Sequence, residues 1–241
     1  MTFEEKARLF GITLDQKQLN LYQNLYILVT EKNKVMNLTG ITEYEDVINK
    51  HFLDSLSINR LGEFKNAKSI IDIGTGAGFP GLPLKIAFPE KKIVMVDSLR
   101  KRIDFINEVI DFLHLENVVA IHARAEELAV KEEYREQFDI CCSRAVANLS
   151  TLSEYCMPFV KMNGYFISYK SGNVKEELEE AKFAIKTLGG KVMKSDAFTI
   201  PETEYDRTLV RVKKSSNTPA KYPRGNSKPL KNPLKESKKE K

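Results

Sequence analysis

A glycine-rich segment that follows a short apolar run is the feature that most constrains the fold of this chain. The run Ser69–Ile73 is predicted to be a strand, and it leads into Asp72-Ile-Gly-Thr-Gly-Ala-Gly-Phe-Pro-Gly. Glycines allow positive φ angles and let a ligand approach the backbone closely, and the helix that follows offers unpaired N–H groups to an anion. A strand, a glycine loop and a helix in this order predict a doubly wound sheet with a nucleotide-like ligand at the loop.

Apolar strand patterns alternate with helical patterns through the middle of the chain. The five predicted parallel strands are Ser69–Ile73, Lys92–Asp97, Val118–His122, Phe138–Cys142 and Gly164–Lys170. Two further strands, near Lys191–Ile200 and Arg207–Lys213, are separated only by a turn and are expected to pair as an antiparallel hairpin at one sheet edge. The pattern predicts an α/β protein with a doubly wound, mostly parallel, seven-stranded sheet.

The sequence pattern divides the chain into three regions. Residues 1–64 are predicted to form a small N-terminal helical cap, residues 65–214 the ligand-binding α/β domain, and residues 215–241 a basic tail. Ten Lys or Arg and two Glu give residues 213–241 a formal charge of +8, so residues 1–212 carry −3 of the chain's total of +5. Four prolines among Lys, Ser and Asn predict an extended or disordered tail, and its charge favours nucleic acid as a partner.

Several classes of protein are not expected from the composition. The N-terminus lacks a basic and then apolar signal pattern, and no stretch approaches the roughly 20 apolar residues that span a bilayer, so a soluble, cytoplasmic protein is expected. Cys141, Cys142, Cys156 and three widely spaced histidines have neither zinc-ligand nor disulfide spacing, so no metal site is predicted. Nothing in the sequence indicates an obligate dimer, and a monomer is expected.

The position of the glycines relative to the strand end distinguishes two cofactors. A dinucleotide fingerprint, G-x-G-x-x-G, starts where the strand ends, but from Gly74 its third glycine would fall on Phe79. The loop therefore favours S-adenosylmethionine (SAM), with contacts at Gly74, Gly76 and Gly78. Asp97 ends the next strand, 19 residues after Gly78, where a carboxylate accepts hydrogen bonds from ribose hydroxyls of either cofactor.

The loops after the third and fourth strands are predicted to complete the site. Ala125 and Glu126 follow the third strand, where backbone and carboxylate can read an adenine edge. Arg144 follows the fourth strand, where enzymes of this architecture place substrate chemistry. Cys141 and Cys142 lie in an apolar strand, where a cysteine is commonly buried and inert rather than a nucleophile for pyrimidine C5 methylation.

The loop that contains Arg144 also lacks the Asn/Asp-Pro-Pro-aromatic motif typical of exocyclic-amine methyltransferases. An acceptor that needs neither a general base nor a covalent nucleophile remains, and guanine N7 is one. Catalysis is then expected to depend on proximity and alignment, with no catalytic residue assigned.

Six short motifs occur in an order that resembles one known family. They are Asn37-Leu-Thr, His51-Phe-Leu-Asp-Ser, Asp72-Ile-Gly-Thr-Gly-Ala-Gly-Phe-Pro-Gly-Leu-Pro, Val96-Asp-Ser, Arg124-Ala-Glu and Ser143-Arg-Ala-Val-Ala. The chain resembles, over nearly its whole length, the glucose-inhibited division protein B family of bacterial small-subunit rRNA methyltransferases. The resemblance implies a class I SAM-dependent methyltransferase fold and methylation of guanine N7 in the 530-loop region of 16S rRNA. It also implies SAM contacts at Gly74, Phe79, Ala125, Glu126 and Arg144, with Asp97 at the ribose.

Two alternative functions remain open on the sequence. A nicotinamide-dependent oxidoreductase would use the same Asp97, and a non-catalytic RNA-binding ribosome assembly factor would depend mainly on the basic tail. Arg124, Lys170 and Arg207 are candidate RNA contacts, although a surface ion pair is the commoner fate of any single Arg or Lys. Deletion of residues 215–241 is expected to weaken RNA affinity and to leave SAM affinity intact.

Overall fold

The computed structural model describes residues 1–144 and 147–236 of the chain. The strands are β1 (Ser69–Ile73), β2 (Lys92–Asp97), β3 (Val118–His122), β4 (Phe138–Ser143), β5 (Val160–Ser171), β6 (Gly190–Val192), β7 (Asp196–Thr199) and β8 (Asp206–Lys214). The helices are α1 (Phe3–Leu9), α2 (Gln16–Met36), α3 (Tyr44–Val47), α4 (Asp54–Leu56), α5 (Gly62–Asn66), α6 (Gly81–Ala87), α7 (Arg100–Phe112), α8 (Ala125–Leu128), α9 (Leu149–Cys156), α10 (Lys175–Thr187) and α11 (Lys228–Lys231). A π-helical turn, Ile48–Leu53, joins α3 to α4.

The strands form one sheet in the order β3-β2-β1-β4-β5-β8-β6, and β7 also pairs with β8. Strands β1 to β5 pair in parallel, whereas β8 runs antiparallel to β5, β6 and β7. Because β6 and β7 pair with opposite ends of β8, they are two pieces of one edge strand, and the sheet is seven strands wide. The predicted doubly wound, mostly parallel, seven-stranded sheet with an antiparallel edge is confirmed. The reversed β8 departs from the strand order of a dinucleotide-binding domain.

Successive residues of the central strands contribute to two apolar cores. Ile70 and Ile140 belong to the core that contains α6, α7 and the N-terminal helices. Ile71 and Cys141, the next residues along the same strands, belong to the core that contains α9 and α10. Parallel strands covered on both faces are apolar almost throughout, which explains why the sequence shows continuous apolar runs here.

The N-terminal helices pack against the first face of the sheet. Thr2 and Asp15 begin α1 and α2 as capping boxes, in which the cap side chain accepts a backbone N–H of the first turn. Tyr22 of α2 is buried, and its hydroxyl donates to the carbonyl oxygen of Pro83 at 2.6 Å. The predicted helical cap is therefore present, and it shares one core with the α/β domain.

Residues 215–236 differ from the expected extended or disordered tail. Thr218 and Tyr222 are buried, and the Arg135 guanidinium donates to the carbonyl oxygens of both, at 2.9 and 3.0 Å. Residues 215–236 contain several prolines and form no strand and only one short helix, so few of their backbone groups bond to one another. Arg135 supplies hydrogen bonds to the backbone carbonyl oxygens instead, which allows the segment to pack. Residues 237–241 of the predicted tail lie outside the described residues.

Candidate active site

A cavity of about 520 Å³ opens at the carboxyl ends of the central strands. The strand order reverses at β1, which lies between β2 and β4, and open α/β sheets bind their ligands at such a switch point. Eight of the predicted site residues line this cavity together: Gly74, Gly76, Phe79, Asp97, Arg124, Ala125, Glu126 and Arg144.

The glycine loop forms one wall of the cavity. Gly74, Gly76 and Gly78 have φ angles of 72°, 63° and 90°, in the left-handed region that glycine adopts without strain. A Cβ on Gly76 would meet no neighbouring atom within 4 Å, so this backbone faces open space. A Cβ on Gly78 would lie only 2.3 Å from Cδ1 of Leu82. Gly78, predicted as a cofactor contact, is therefore placed where it lets the loop pack against α6.

Asp97 ties the glycine loop to the end of β2. Its buried carboxylate accepts from the backbone N–H of Gly76 at 3.0 Å and of Leu99 at 2.9 Å. The Arg102 guanidinium donates to the same carboxylate at 3.1 Å. Asp97 thus lines the cavity and fixes the conformation of the loop, and its contact with the ribose stays a prediction.

Asp72 is fully buried beneath the glycine loop. Its Oδ2 accepts from the Thr75 hydroxyl at 2.6 Å and from the Gly81 N–H at 3.0 Å. Its Oδ1 has no hydrogen-bond partner among the described residues, and burial raises the pKa of the carboxyl to about 6. An orphaned buried oxygen is rare in a folded protein, and the negative potential that it adds beneath the loop favours a cationic ligand.

His51, from the π-helical turn of the cap, forms another wall of the cavity. Its ring stacks on Phe79, with centroids 4.4 Å apart and planes 13° from parallel. An Arg144 nitrogen lies 3.1 Å from Nδ1, and the Thr39 hydroxyl lies 2.9 Å from Nε2. Because a guanidinium can only donate, Nδ1 must accept and the proton of the neutral ring must lie on Nε2. Burial, together with the charge of Arg144, lowers the pKa of His51 to about 3, so the ring is neutral.

Arg144 connects the α/β domain to the cap through a buried carboxylate. Its Nη1 donates to Asp54 Oδ2 at 3.0 Å and to the carbonyl oxygen of Lys50 at 3.0 Å. Arg207 donates through Nε to the other oxygen of Asp54, at 2.9 Å. Asp54 is only 4% exposed, so one buried carboxylate holds two guanidinium groups in place.

A second cavity, of about 390 Å³, shares Arg144 with the first. It contains the two predicted RNA contacts that lie outside the first cavity, Lys170 and Arg207. Lys170 is paired with Glu177 at 2.7 Å, and its ammonium also donates to the carbonyl oxygen of Ala147. Lys170 and Arg207 are therefore both held by carboxylates in the second cavity, next to the first.

The loop after β3 forms the far end of the first cavity with the C-terminal segment. Arg124 donates to the Ser227 hydroxyl at 2.9 Å, and the carboxylate of Glu126 accepts from the Ser227 N–H at 3.3 Å. Ser227 and Leu230 line the cavity beside Ala125. Arg124 is thus engaged by the protein itself, and the RNA contact predicted for it stays a prediction.

Several cavity residues were not assigned a role from the sequence. Thr39, His51 and Asp54 occur in the motifs that carried the family resemblance, but their spacing along the chain did not indicate a site. Ser227 and Leu230 lie in the segment that was expected to be disordered. The signal that could have found His51 was its position within an apolar helical stretch, which is also the pattern of an ordinary core histidine.

The donor set fits SAM. Gly76 offers an open backbone surface, Asp97 a carboxylate at the end of β2, and Asp72 a buried negative charge beneath the loop. Across residues 1–144 and 147–236, no group of three or more His, Cys, Asp or Glu side chains is arranged to hold a metal ion. In the same part of the chain, the helices are too short or too polar to cross a membrane.

The same fold and family appear in comparisons with known proteins. A curated relative from Lachnoclostridium phytofermentans, named ribosomal RNA small subunit methyltransferase G, is 53% identical over 97% of this chain and 96% of its own length. A relative of the same name from Clostridium tetani is 48% identical over 93% of this chain and 94% of its own length. A solved mutant of a 16S rRNA adenine-N1 methyltransferase from Catenulisporales acidiphilia has a TM-score of 0.51 at 14% identity. The aligned region covers 62% of this chain and 86% of the chain of that methyltransferase.

The structural likeness supports the fold alone, and the predicted class I SAM-dependent methyltransferase fold is confirmed. The family model described as rRNA small subunit methyltransferase G matches residues 15–209, which is most of the α/β domain and of the cap. By this match and by the identity to curated relatives along almost the whole chain, the protein belongs to the GidB family of rRNA small subunit methyltransferases G.

Proposed function

We propose that this protein transfers the methyl group of SAM to N7 of a guanine in the 530-loop region of 16S rRNA. SAM is the cofactor, and it supplies an electrophilic methyl group on a sulfonium centre. The choice of N7 as the acceptor rests on the hydrogen bonds made by both ring nitrogens of His51. Its Nδ1 accepts from Arg144 and its Nε2 donates to Thr39, so this cavity histidine has no lone pair left with which to act as a general base. Guanine N7 needs none, because its lone pair is free at neutral pH.

The cysteines beside the site also support an acceptor of this kind. Cys141 and Cys142 are fully buried, and burial raises the pKa of both thiols well above the usual value. Such thiols are not ionised at neutral pH and are not exposed to a base in the cavity. The covalent route to a pyrimidine C5 position therefore has no nucleophile at these two residues.

The chain's own residues bind and align the reactants. Asp97 fixes the glycine loop, and Arg144 is held rigidly by Asp54 and the Lys50 carbonyl at the boundary between the two cavities. A guanidinium fixed in this way can position an acceptor base or exclude water from it without reorganising during the reaction. Rate enhancement would then come from proximity and alignment.

The RNA is proposed to enter by the second cavity. Arg207 and Lys170 lie there, and each is paired with a carboxylate that holds the cation in place while leaving some of its N–H groups for phosphate. Arg124 is the weakest of the three predicted RNA contacts, since it donates to Ser227. We further propose that the protein acts as a monomer in the cytoplasm, where its rRNA substrate is located.

The experiment that tests this function is methyl transfer from labelled SAM to small ribosomal subunits that lack the modification. Aniline cleavage at 7-methylguanine then maps the modified base, and a single cleavage in the 530-loop region is expected. Transfer to a different base, or at a different region of the rRNA, would contradict the proposal. Binding of SAM with no transfer to subunits, precursor particles or free rRNA would instead favour the assembly-factor alternative.

A further inference from the structure

The C-terminal segment 215–236, which we call the C-terminal strap, is anchored by a buried carboxylate on α9. Glu154 has no exposed surface, and both of its oxygens accept from the side chain of Arg224, at 2.9 and 2.7 Å. The backbone N–H of Arg224 adds a third bond to the same carboxylate at 2.8 Å. A buried carboxylate is costly without such partners, so a Glu at this position of α9 requires the strap to dock.

Two further bonds hold the strap beyond this anchor. The Thr151 hydroxyl of α9 donates to the carbonyl oxygen of Pro229, and the Ser150 hydroxyl donates to that of Leu234, at 2.9 and 2.7 Å. Pro229 is buried, whereas the neighbouring Leu230 is 58% exposed. The strap therefore docks on α9 through several hydrogen bonds while Leu230 lines the cavity.

The strap reaches the cavity at the end formed by the loop after β3. Ser227 has a φ angle of 55°, in the left-handed region, and this turn brings both its N–H and its hydroxyl to the cavity wall. The N–H donates to Glu126, the residue predicted to read the adenine edge, and the hydroxyl accepts from Arg124. Leu230 lines the same end of the cavity together with Ala125 and Tyr155.

We propose that the C-terminal strap completes the adenine pocket, with Leu230 covering the base and Ser227 holding Glu126 for its edge. Leu230, Ala125 and Tyr155 together form an apolar surface against which a flat heteroaromatic base can pack. Apolar surfaces of this kind bury most of a bound small molecule. This inference rests on SAM as the cofactor. The family match ends at residue 209, so it does not include these residues. It also reverses the expectation from the sequence that the tail contributes to RNA affinity alone.

The same short helix also carries exposed positive charge. Lys228 and Lys231 are exposed, and they flank Leu230 along α11. One segment can therefore contact the cofactor through Leu230 and rRNA phosphate through its lysines. Matched substitutions of Leu230 and Lys231 separate these roles.

The test is calorimetric binding of SAM and of 5′-methylthioadenosine to wild-type protein, Leu230→Ala and Lys231→Ala. Leu230→Ala is expected to bind both ligands about 10-fold more weakly, because both contain the adenosine end and a removed apolar contact costs roughly this factor. Lys231→Ala is expected to bind both within about 2-fold of wild type. Its binding to small subunits should instead show a salt slope smaller by about one.

Thermal unfolding shows whether a weaker affinity of Leu230→Ala comes from a damaged fold. Because Leu230 is exposed without ligand, the Tm of ligand-free Leu230→Ala should match that of the wild type, and only the increase in Tm on adding SAM should shrink. Wild-type affinity of Leu230→Ala for both ligands would overturn the inference. Failure of the wild-type protein itself to bind SAM would be a different result, since it would overturn the proposed function.

Discussion

Arg144 forms an ion pair with the buried carboxylate of Asp54, with Nη1 3.0 Å from Oδ2, that joins the loop after β4 to helix α4 of the cap. The two residues are 90 positions apart in sequence, and the cap also supplies the Lys50 carbonyl oxygen and His51 Nδ1 to the same guanidinium. The cap therefore does more than cover one face of the sheet. It supplies the carboxylate that fixes the arginine at the boundary of both cavities.

Removal of this carboxylate should be costly to the fold. Asp54→Ala leaves the guanidinium groups of Arg144 and Arg207 without their buried partner, and loss of one member of a buried pair costs about 3–5 kcal/mol. Urea unfolding should show a decrease of that size in the free energy of unfolding. Asp46→Asn is the matched control, because the Asp46 and Lys50 side chains are 39% and 27% exposed, and loss of this partly solvated pair should change stability by less than about 1 kcal/mol. Equal effects of the two substitutions would show that Asp54 contributes no more to the free energy of unfolding than Asp46 does.

Substitution of Asp97 should affect cofactor binding more than folding. Asp97→Asn keeps one acceptor oxygen but loses the charge that faces Arg102 and the predicted ribose. Hydrogen bonds to charged groups contribute about 1.5–3 kcal/mol, so SAM should bind about 10- to 100-fold more weakly by calorimetry. Asp104→Asn, on the exposed side of α7, should bind SAM as the wild type does. A wild-type SAM affinity for Asp97→Asn would place the ribose elsewhere.

The sheet and the cofactor loop could be predicted from the sequence because both depend on local patterns. Strands β1, β2 and β3 lie at their predicted bounds, since short apolar runs between turn residues identify a strand without knowledge of its neighbours. The glycine positions and Asp97 were found because they follow strand ends. These are the features that a linear pattern carries.

The remainder of the site depends on contacts between residues that are distant in sequence, which local sequence patterns do not reveal. His51 lies in an apolar helical stretch, and only the fold brings it against Phe79 and Arg144. The docking of the C-terminal strap depends on Glu154, which looks like one more charged residue of a helix until its burial is seen. Proline-rich, basic composition indicated disorder because composition does not reveal a buried partner elsewhere in the chain.

The neutral state of His51 predicts a loss of stability in acid. Its folded pKa of about 3 lies below the ordinary value of 6.5, so its contribution is fully present above pH 6.5 and is lost as pH falls toward 3. Relative to His51→Gln, the wild type should lose up to about 1.4 kcal/mol per pH unit between pH 6 and pH 4.

Comparison with the variant isolates this histidine from other titrating groups. The raised pKa of Asp72 gives a dependence of opposite sign in the same pH range, because its contribution is present below pH 3.8 and is lost as pH rises through about 6. That dependence is common to both proteins and cancels in the difference. Urea unfolding at several pH values provides the measurement, and parallel curves for the two proteins would show that His51 does not titrate abnormally.

Arginine is expected to approach the target guanine without a hydrogen bond to N7. Arginine commonly reads guanine through O6 and N7 together, and that geometry would occupy the lone pair that accepts the methyl group. Arg144 and Arg207 are therefore expected to contact phosphate, O6 alone or the cofactor. Small subunits reconstituted with 7-deazaguanine at the target position should accept no methyl group, yet should bind within about 2-fold of the normal subunit, because no protein bond to N7 is lost. The same replacement at a neighbouring guanine serves as the control and should leave methyl transfer unchanged. A weakening of about 10-fold or more at the target position would match the loss of a base contact and would place an arginine on N7.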